Sequence, residues 1–154
     1  MTFSSKANYL WVLIAPLIAF SQMGCATGTN SISPSTPEFL RAAELQRTLL
    51  DNSLYRHGRR LFRVWEYASR HSEDGSITAR IWWSDGHDDA AGTWEVTPDD
   101  LYCRTWSNNW GNGKRGCFRV HREAATLVFD HVSGSRGDAD RYTYLLLPGN
   151  PHNL

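Results

Sequence analysis

The chain has 154 residues, and its 16 basic side chains balance its 16 acidic ones, so the formal net charge is zero. A neutral chain has no overall electrostatic attraction to nucleic acid or to an anionic membrane, and we therefore predict no nucleic-acid partner. About 130 residues follow the N-terminal apolar segment, which is enough for one domain with one hydrophobic core.

Residues 1–24 have the pattern of a signal peptide. Lys6 precedes the uncharged run YLWVLIAPLIAF at residues 9–20. A run of about twelve apolar residues is too short to cross a hydrocarbon core of roughly 30 Å as a helix, but it has the length of a signal-peptide core. We therefore predict that the chain is exported.

The segment SQMGCATG, which follows the apolar run, resembles the cleavage site of bacterial lipoproteins. Gly24 and Cys25 fit its last two positions, whereas Gln22 stands where an aliphatic residue is usual. We expect a lipid on Cys25 and an outer-membrane lipoprotein that faces the periplasm. The alternative is ordinary cleavage after Ala26, which gives a soluble periplasmic or secreted protein. Residues 25–36 are small and polar, and they are typical of a tether.

A helix is predicted to begin at Pro37, because apolar residues recur at every third or fourth position up to Leu50. Thr36 is its expected N-cap, and proline is favoured at the first helical position. We expect this helix to cover a sheet. The segment DNSLYRHGRR at residues 51–60 is expected to break it.

From Leu61 onward the sequence predicts about seven short strands separated by turn signals, including two Asp-Gly pairs. They are LFRVWEYA (61–68), ITARIWW (77–83), TWEV (93–96), LYCRTW (101–106), CFRVHR (117–122), ATLVFDHV (125–132) and YTYLLL (142–147). The segment SDGHDDAAG at 84–92 is predicted to be a loop. This pattern indicates an antiparallel meander that forms a sandwich or barrel, and residues 37–154 form a single β-rich domain.

Cys103 and Cys117 flank the loop SNNWGNGK, whose central residue is Trp110. If the segment folds as a hairpin around this loop, the two side chains face each other at a distance that a disulfide can bridge. The spacing does not match a Cys-x-x-Cys redox motif, and no neighbouring residues complete a zinc site. We therefore predict a disulfide, which the oxidising compartment outside the cytosol would preserve.

Six tryptophans lie between residues 65 and 110, and arginines alternate with aromatic residues along the strands. Such side chains more often fill a core or pair on a surface, but they also bind glycans, apolar molecules and anions. The candidate binding residues are Trp65, Trp83, Trp94, Trp106, Trp110, Arg104 and Arg119.

The sequence gives little support for catalysis or for a cofactor. His87, Asp88 and Asp89 are consecutive, and consecutive side chains point in different directions rather than toward one metal ion. Glu66 or Glu95 would serve as a ligand contact or general acid only if it faced inward; the alternative is an outward carboxylate paired with an arginine. We predict that the protein is not an enzyme and holds neither a cofactor nor a metal.

Three segments carry a resemblance to known sequences: GTWEV at 92–96, the pair DDLYCRTW and KRGCFRV around the two cysteines, and LPGNPHNL at 147–154. Through them, residues 45–154 resemble a family of small secreted bacterial proteins and lipoproteins of unknown function, many from proteobacteria related to rhizobia. The resemblance implies a lipocalin-like β fold, with no established activity and no catalytic residues.

We therefore expect a small lipocalin-like barrel or half-barrel that acts as a non-enzymatic binding or structural module in the cell envelope. Its partner would be a small apolar ligand, a glycan or an envelope protein, and a lipid on Cys25 would attach it to the membrane. The alternative is an inhibitor or immunity-type protein that inserts the loop at 107–116 into the cleft of an envelope enzyme, with Trp110 as the anchor.

Overall fold

The computed structural model describes residues 36–108, 110–137 and 139–154. The predicted leader at 1–24, the lipidation site Cys25 and all but the last residue of the tether lie outside these ranges. No helix within them is long and apolar enough to cross a bilayer.

Eight antiparallel strands form a closed barrel in which every strand pairs with its neighbours in sequence and the last pairs with the first. The strands are β1 (Asn52–Arg60), β2 (Arg63–His71), β3 (Ser76–Trp83), β4 (Gly86–Val96), β5 (Leu101–Trp106), β6 (Gly116–Glu123), β7 (Thr126–Gly134) and β8 (Arg141–Pro148). The predicted mostly-β antiparallel meander is confirmed, and it closes completely into a small lipocalin-like barrel. Closure removes the exposed strand edges on which another chain could pair.

Strand β1 was missed by the sequence-based prediction, which expected residues 51–60 only to break the helix. These residues pair with β2 on one side and β8 on the other. The strand contains three arginines and a glycine among nine residues, so it lacks an apolar alternation. Its two neighbours determine its conformation, and the turn between β1 and β2 consequently falls at Leu61 and Phe62.

Helix α1 (Ala42–Asp51) ends where β1 begins. Its residues Leu45 and Leu49 are fully buried, in the same apolar cluster as Leu54 of β1 and Ile77 of β3. The helix therefore closes the end of the barrel at which β1 starts, and it covers the sheet as the sequence predicted.

The predicted start of this helix at Pro37 is wrong. The preceding segment is extended, and Phe39 forms a β-bridge with His121. At the true N-terminus the carboxylate of Asp100 accepts a hydrogen bond from the Ala42 backbone N–H at 2.7 Å. This hydrogen bond is the main reason that the pKa of Asp100 lies below its usual range. A cap that comes from a distant turn is not visible in the local sequence.

The predicted loop at 84–92 is mostly strand. β4 begins at Gly86, and its first residues pair with the last residues of β3. Arg80 Nη2 of β3 donates to Asp89 Oδ2 of β4 at 3.0 Å, so charged side chains rather than apolar ones mark this pairing. His87, Asp88 and Asp89 are consecutive strand residues, and neighbouring side chains therefore point to opposite faces.

Cys103 of β5 and Cys117 of β6 lie directly opposite each other and form the predicted disulfide. The neighbouring Tyr102 and Arg104 point into the barrel, so the two cysteines belong to the outer face of the sheet. Both cysteines are nevertheless buried. The bond joins the two strands that flank the loop at 107–114.

His71 of β2 is buried inside the barrel, near the end that α1 covers. Its Nε2 lies 2.9 Å from Tyr102 Oη, and its ring packs edge-on against Trp94. Burial, with smaller effects of the positive charges of Arg104 and Arg70, lowers the pKa of His71 from 6.5 to about 3. The imidazole is therefore neutral at physiological pH.

Removal of the disulfide should lower the free energy of unfolding by about 3 kcal/mol, because the bond restricts a loop of about 15 residues in the unfolded chain. Urea unfolding of the oxidised protein and of the Cys103→Ala, Cys117→Ala variant measures the difference. A reductant should shift the midpoint of the unsubstituted protein toward that of the variant and leave the variant unchanged. Equal midpoints for the two oxidised proteins would contradict a stabilising role.

Acidification should destabilise the protein between about pH 6.5 and pH 3, because the unfolded chain then binds a proton at His71 that the native state excludes. The pKa of His71 implies a total loss of roughly 4–5 kcal/mol, with full stability above about pH 6.5. His71→Gln should flatten the dependence of the urea midpoint on pH between 6.5 and 4.5. His87→Gln, which removes an exposed histidine, is the control and should preserve it. If the urea midpoint of His71→Gln depended on pH as strongly as that of the unsubstituted protein, His71 would not be the group responsible.

Candidate functional site

A cavity of about 390 Å³ lies inside the barrel at the end opposite α1. Inward-facing residues of five strands form its wall, and the segments that follow β5 and β7 cover part of it. The residues that line it are Arg56, Tyr67, Ile81, Trp83, Arg104, Trp106, Trp110, Gly111, Asn112, Ser135, Gly137, Tyr142 and Tyr144. Aromatic walls with a few polar groups, in a volume of this order, are typical of small-molecule sites.

Strand register determines which side chains reach the cavity. Tyr67 lies opposite Arg56 of β1 and opposite Ile81 of β3, and directly opposed residues share one face of a sheet. Trp65, the next inward residue of β2, lies opposite Gly58. A Cβ atom at Gly58 would approach Trp65 Cζ2 to 2.5 Å, so glycine makes room for the indole near the rim of the barrel.

Arg104 of β5 places a positive charge in the wall of the cavity. Its guanidinium carbon lies 5.5 Å, 5.3 Å and 5.5 Å from the ring centroids of Trp106, Phe118 and Tyr142, respectively. Its Nη1 donates to Tyr144 Oη at 3.4 Å. Among the described residues, no carboxylate lies within the 4.0 Å distance of an ion pair with Arg104.

The phenols around Arg104 favour its charged form and remain protonated themselves. Burial raises the pKa of Tyr67 to about 12 and also raises the pKa of Tyr102. Burial alone would lower the pKa of Arg104, but the phenol groups of Tyr144, Tyr67 and Tyr102 outweigh it and raise this pKa. At neutral pH the cavity therefore contains a permanent positive charge beside neutral hydroxyls.

Tyr67 places a buried hydroxyl in the wall of the cavity. The residue is only 5% exposed, and its Oη has no hydrogen-bond partner within 3.5 Å in the part of the chain that the structure describes. A buried hydroxyl in this condition costs free energy, and native proteins retain few of them. Because Tyr67 lines the cavity, its hydroxyl is available to a polar atom of a ligand.

Arg56 adds a second guanidinium to the same wall. Its Cζ atom lies 4.8 Å from the ring centroid of Trp65 and 4.7 Å from that of Tyr142. Cation–π contacts of this kind hold the guanidinium flat against aromatic surface. The wall of the cavity thus combines positive charge with large apolar faces.

The segment after β5 packs against the mouth of the cavity. Trp110, in the short 3-10 turn Trp110–Gly113, is half-buried and contacts Trp106 edge-on at 5.4 Å and Tyr67 at 6.1 Å between ring centroids. Ser135 Oγ donates to the Gly111 carbonyl at 3.1 Å, which connects this turn to the segment after β7. For Trp110 to anchor in another protein's cleft, it would first have to leave these contacts.

The seven candidate binding residues do not all lie at the cavity. Four of them line it, namely Trp83, Trp106, Trp110 and Arg104. Trp65 packs beside Arg56 near the rim, whereas Trp94 lies toward the opposite end of the barrel, where its Nε1 donates to the Ser72 carbonyl. Arg119 faces outward over Phe39, because it alternates with the buried Val120.

Among the residues that line the cavity, sequence reasoning missed the charged and phenolic side chains of Arg56, Tyr67, Tyr142 and Tyr144. The alternation of Tyr142 with Tyr144 in β8, and of Trp65 with Tyr67 in β2, was a usable signal for one aromatic inner face. Arg56 had no such signal, because its segment does not have the pattern of a strand.

The two carboxylates considered for catalysis lie outside the barrel. Glu66 is exposed, and Glu95 is exposed and accepts a hydrogen bond from Arg115 Nη2 at 2.6 Å. Over residues 36–108, 110–137 and 139–154, no three histidine, cysteine, aspartate or glutamate side chains are grouped so as to hold a metal ion.

In comparisons of this chain with protein-family models, with curated proteins and with solved structures, nothing matches.

Replacement of Tyr67 by phenylalanine should raise the free energy of unfolding by about 1 kcal/mol, because it removes a buried hydroxyl that has no partner within 3.5 Å among the described residues. Tyr102→Phe is the matched control, since the Tyr102 hydroxyl lies 2.9 Å from His71 Nε2. Its loss should lower stability by about 1 kcal/mol. Urea unfolding of the unsubstituted protein and the two variants tests whether the free energy of unfolding rises in Tyr67→Phe and falls in Tyr102→Phe. Similar losses of stability in both variants would show that Tyr67 has a partner in solution.

Proposed function

We propose that the protein is a non-enzymatic binding protein that holds one small organic acid inside its barrel. The apolar body of the ligand would lie against the aromatic walls, and its acid group would meet Arg104 and Tyr67. The observation that carries this proposal is a cavity of about 390 Å³ whose wall contains a guanidinium with no carboxylate partner among the described residues.

The energetics of Arg104 favour an anionic ligand over a neutral one. Removing a charge from water is costly, and the aromatic faces around Arg104 offset only part of that cost, at about 0.5–2 kcal/mol for each cation–π contact. A carboxylate is planar and matches the forked donors of a guanidinium, and hydrogen bonds to charged groups contribute about 1.5–3 kcal/mol. A neutral alcohol or sugar would form weaker hydrogen bonds and leave the charge uncompensated.

The dimensions of the cavity favour a small molecule over a protein partner. At about 30 Å³ for each water molecule, the volume corresponds to roughly thirteen waters, or a ligand of about a dozen non-hydrogen atoms. Trp83, Trp106 and Trp110 supply broad apolar faces on which an aromatic or short aliphatic body would pack. An aromatic or short-chain carboxylic acid fits both the charge and the size.

We place this protein in the cell envelope as a lipoprotein attached through Cys25, with a soluble periplasmic or secreted form as the alternative. This placement rests on the signal-peptide pattern of residues 1–24 and on the lipoprotein-like segment after it. The disulfide supports it, because such bonds persist in oxidising compartments and are rare in the cytosol.

Calorimetric titration with 2-naphthoate and with the matched alcohol 2-naphthalenemethanol tests the proposal. The acid should bind at least about tenfold more tightly, because only the acid compensates the charge of Arg104. Arg104→Gln should weaken binding of the acid by about 10-fold to 100-fold and leave the alcohol nearly unaffected.

Arg119→Gln, which removes an outward-facing arginine, is the control and should bind both compounds as the unsubstituted protein does. Equal affinity for acid and alcohol, or an unchanged preference for the acid in Arg104→Gln, would refute the proposal. Failure of 2-naphthoate, benzoate and decanoate to bind would refute it as well.

A further inference from the structure

The turn between β1 and β2 exposes two large apolar side chains at the tip of a hairpin. Leu61 is 85% exposed and Phe62 is 98% exposed, and Val64 just behind them is 52% exposed. These three residues are the most exposed of the large hydrophobic side chains that the structure describes. Single exposed apolar residues are common, but two adjacent ones at a convex tip form a patch that would be covered in a complex.

The geometry of the turn does not explain why leucine and phenylalanine occupy it. Leu61 has a φ of 55°, in the left-handed region that glycine, asparagine and aspartate adopt most easily. Two-residue hairpin turns favour those residue types for this reason. A leucine at this position costs conformational free energy and also exposes apolar surface to water. This combination indicates that the side chain contacts something outside the barrel.

Arginines surround this tip. Arg59 and Arg60 end β1, and Arg63 begins β2. Arg63 Nη2 donates to Asp85 Oδ2 at 3.0 Å, whereas Arg59 and Arg60 form no ion pair with any carboxylate of the described residues. In a chain whose formal net charge is zero, this is a local concentration of positive charge directly behind an apolar tip.

We propose that this hairpin tip docks on an anionic lipid bilayer. Leu61 and Phe62 enter the boundary between head groups and acyl chains, and Arg59 and Arg60 contact the lipid phosphates. A two-residue convex tip is far smaller than the roughly 800 Å² that each partner contributes to a specific protein interface. A lipid bilayer does not require an interface of that area. Apolar side chains bind it by burial in the acyl region, and adjacent basic residues bind it by attraction to anionic head groups.

The tip stands at the end of the barrel that holds the cavity. β1 runs from α1 at one end to the tip at the other, a distance of roughly 26 Å along the strand. Docking through the tip would therefore turn the mouth of the cavity toward the lipid surface.

Co-sedimentation with vesicles tests the docking surface, using the chain of residues 26–154 so that neither the apolar run at 9–20 nor an acyl group on Cys25 contributes. Vesicles of equal parts phosphatidylglycerol and phosphatidylethanolamine should bind it at least about tenfold more tightly than phosphatidylcholine vesicles, with an affinity that falls as salt is added. Leu61→Ser with Phe62→Ser should weaken binding at least about tenfold. Arg59→Gln with Arg60→Gln should weaken it by about 30-fold on anionic vesicles.

Two control variants remove side chains of the same two kinds, apolar and basic, nearer the end of the barrel that α1 covers. Leu145→Ser removes an exposed apolar residue of β8 that lies opposite Thr126, the first residue of β7, and Arg47→Gln with Arg122→Gln removes two exposed arginines. Both should bind vesicles as the unsubstituted protein does. If the chain does not bind anionic vesicles, or if the tip variants bind as these controls do, the docking proposal is overturned.

Leu61→Gly separates docking from folding, because it should raise the stability of the protein and lower its affinity for vesicles. Relief of the left-handed leucine should raise the melting temperature by about 3 °C, while loss of the apolar side chain weakens vesicle binding several-fold. A variant that becomes more stable and still binds vesicles at full affinity would also overturn the proposal.

Discussion

The guanidinium of Arg104 lies among aromatic rings and phenol hydroxyls inside a closed barrel, and much of the surrounding structure serves to hold that charge. A charge in such a place needs polar neighbours, because only part of the side chain remains exposed to water. Pairing of β1 with β8 encloses the space around it and brings Arg56 into the same wall. Without that pairing, the inner faces of β2 and β8 would be open to solvent, and the cavity would not form.

The two ends of the barrel have different physical characters. At the end covered by α1, Leu45 and Leu49 pack on the strands, and the buried His71 is held neutral. The other end contains the cavity, the positive charges of Arg56 and Arg104, and the Tyr67 hydroxyl, which has no partner within 3.5 Å among the described residues. The disulfide supports the second end from outside, because Cys103 immediately precedes Arg104 and fixes β5 to β6. Packing at the α1 end thus stabilises the barrel, and this stability offsets the free-energy cost of the charged and polar groups at the cavity end.

The sequence predicted those parts of the fold that local patterns encode. Alternating residues and Asp-Gly turns identified seven strands, and the cysteine spacing identified the disulfide. β1 was not predictable, because pairing on both sides gives it a conformation that its arginine-rich sequence does not favour. The start of α1 was misplaced because its cap, Asp100, comes from another part of the chain. At the site, aromatic composition indicated which residues to consider, but only the register separates the inward Arg104 from the outward Arg119.

Native mass spectrometry of the protein, purified without denaturation from the cell envelope that produces it, tests the central claim most directly. We expect a fraction of the protein to carry one small molecule that dissociates as an organic anion, and we expect Arg104→Gln, purified in the same way, to lack it. An unliganded mass for both proteins, or the same adduct retained at equal occupancy in Arg104→Gln, would contradict the assignment of Arg104 as the group that holds an acid.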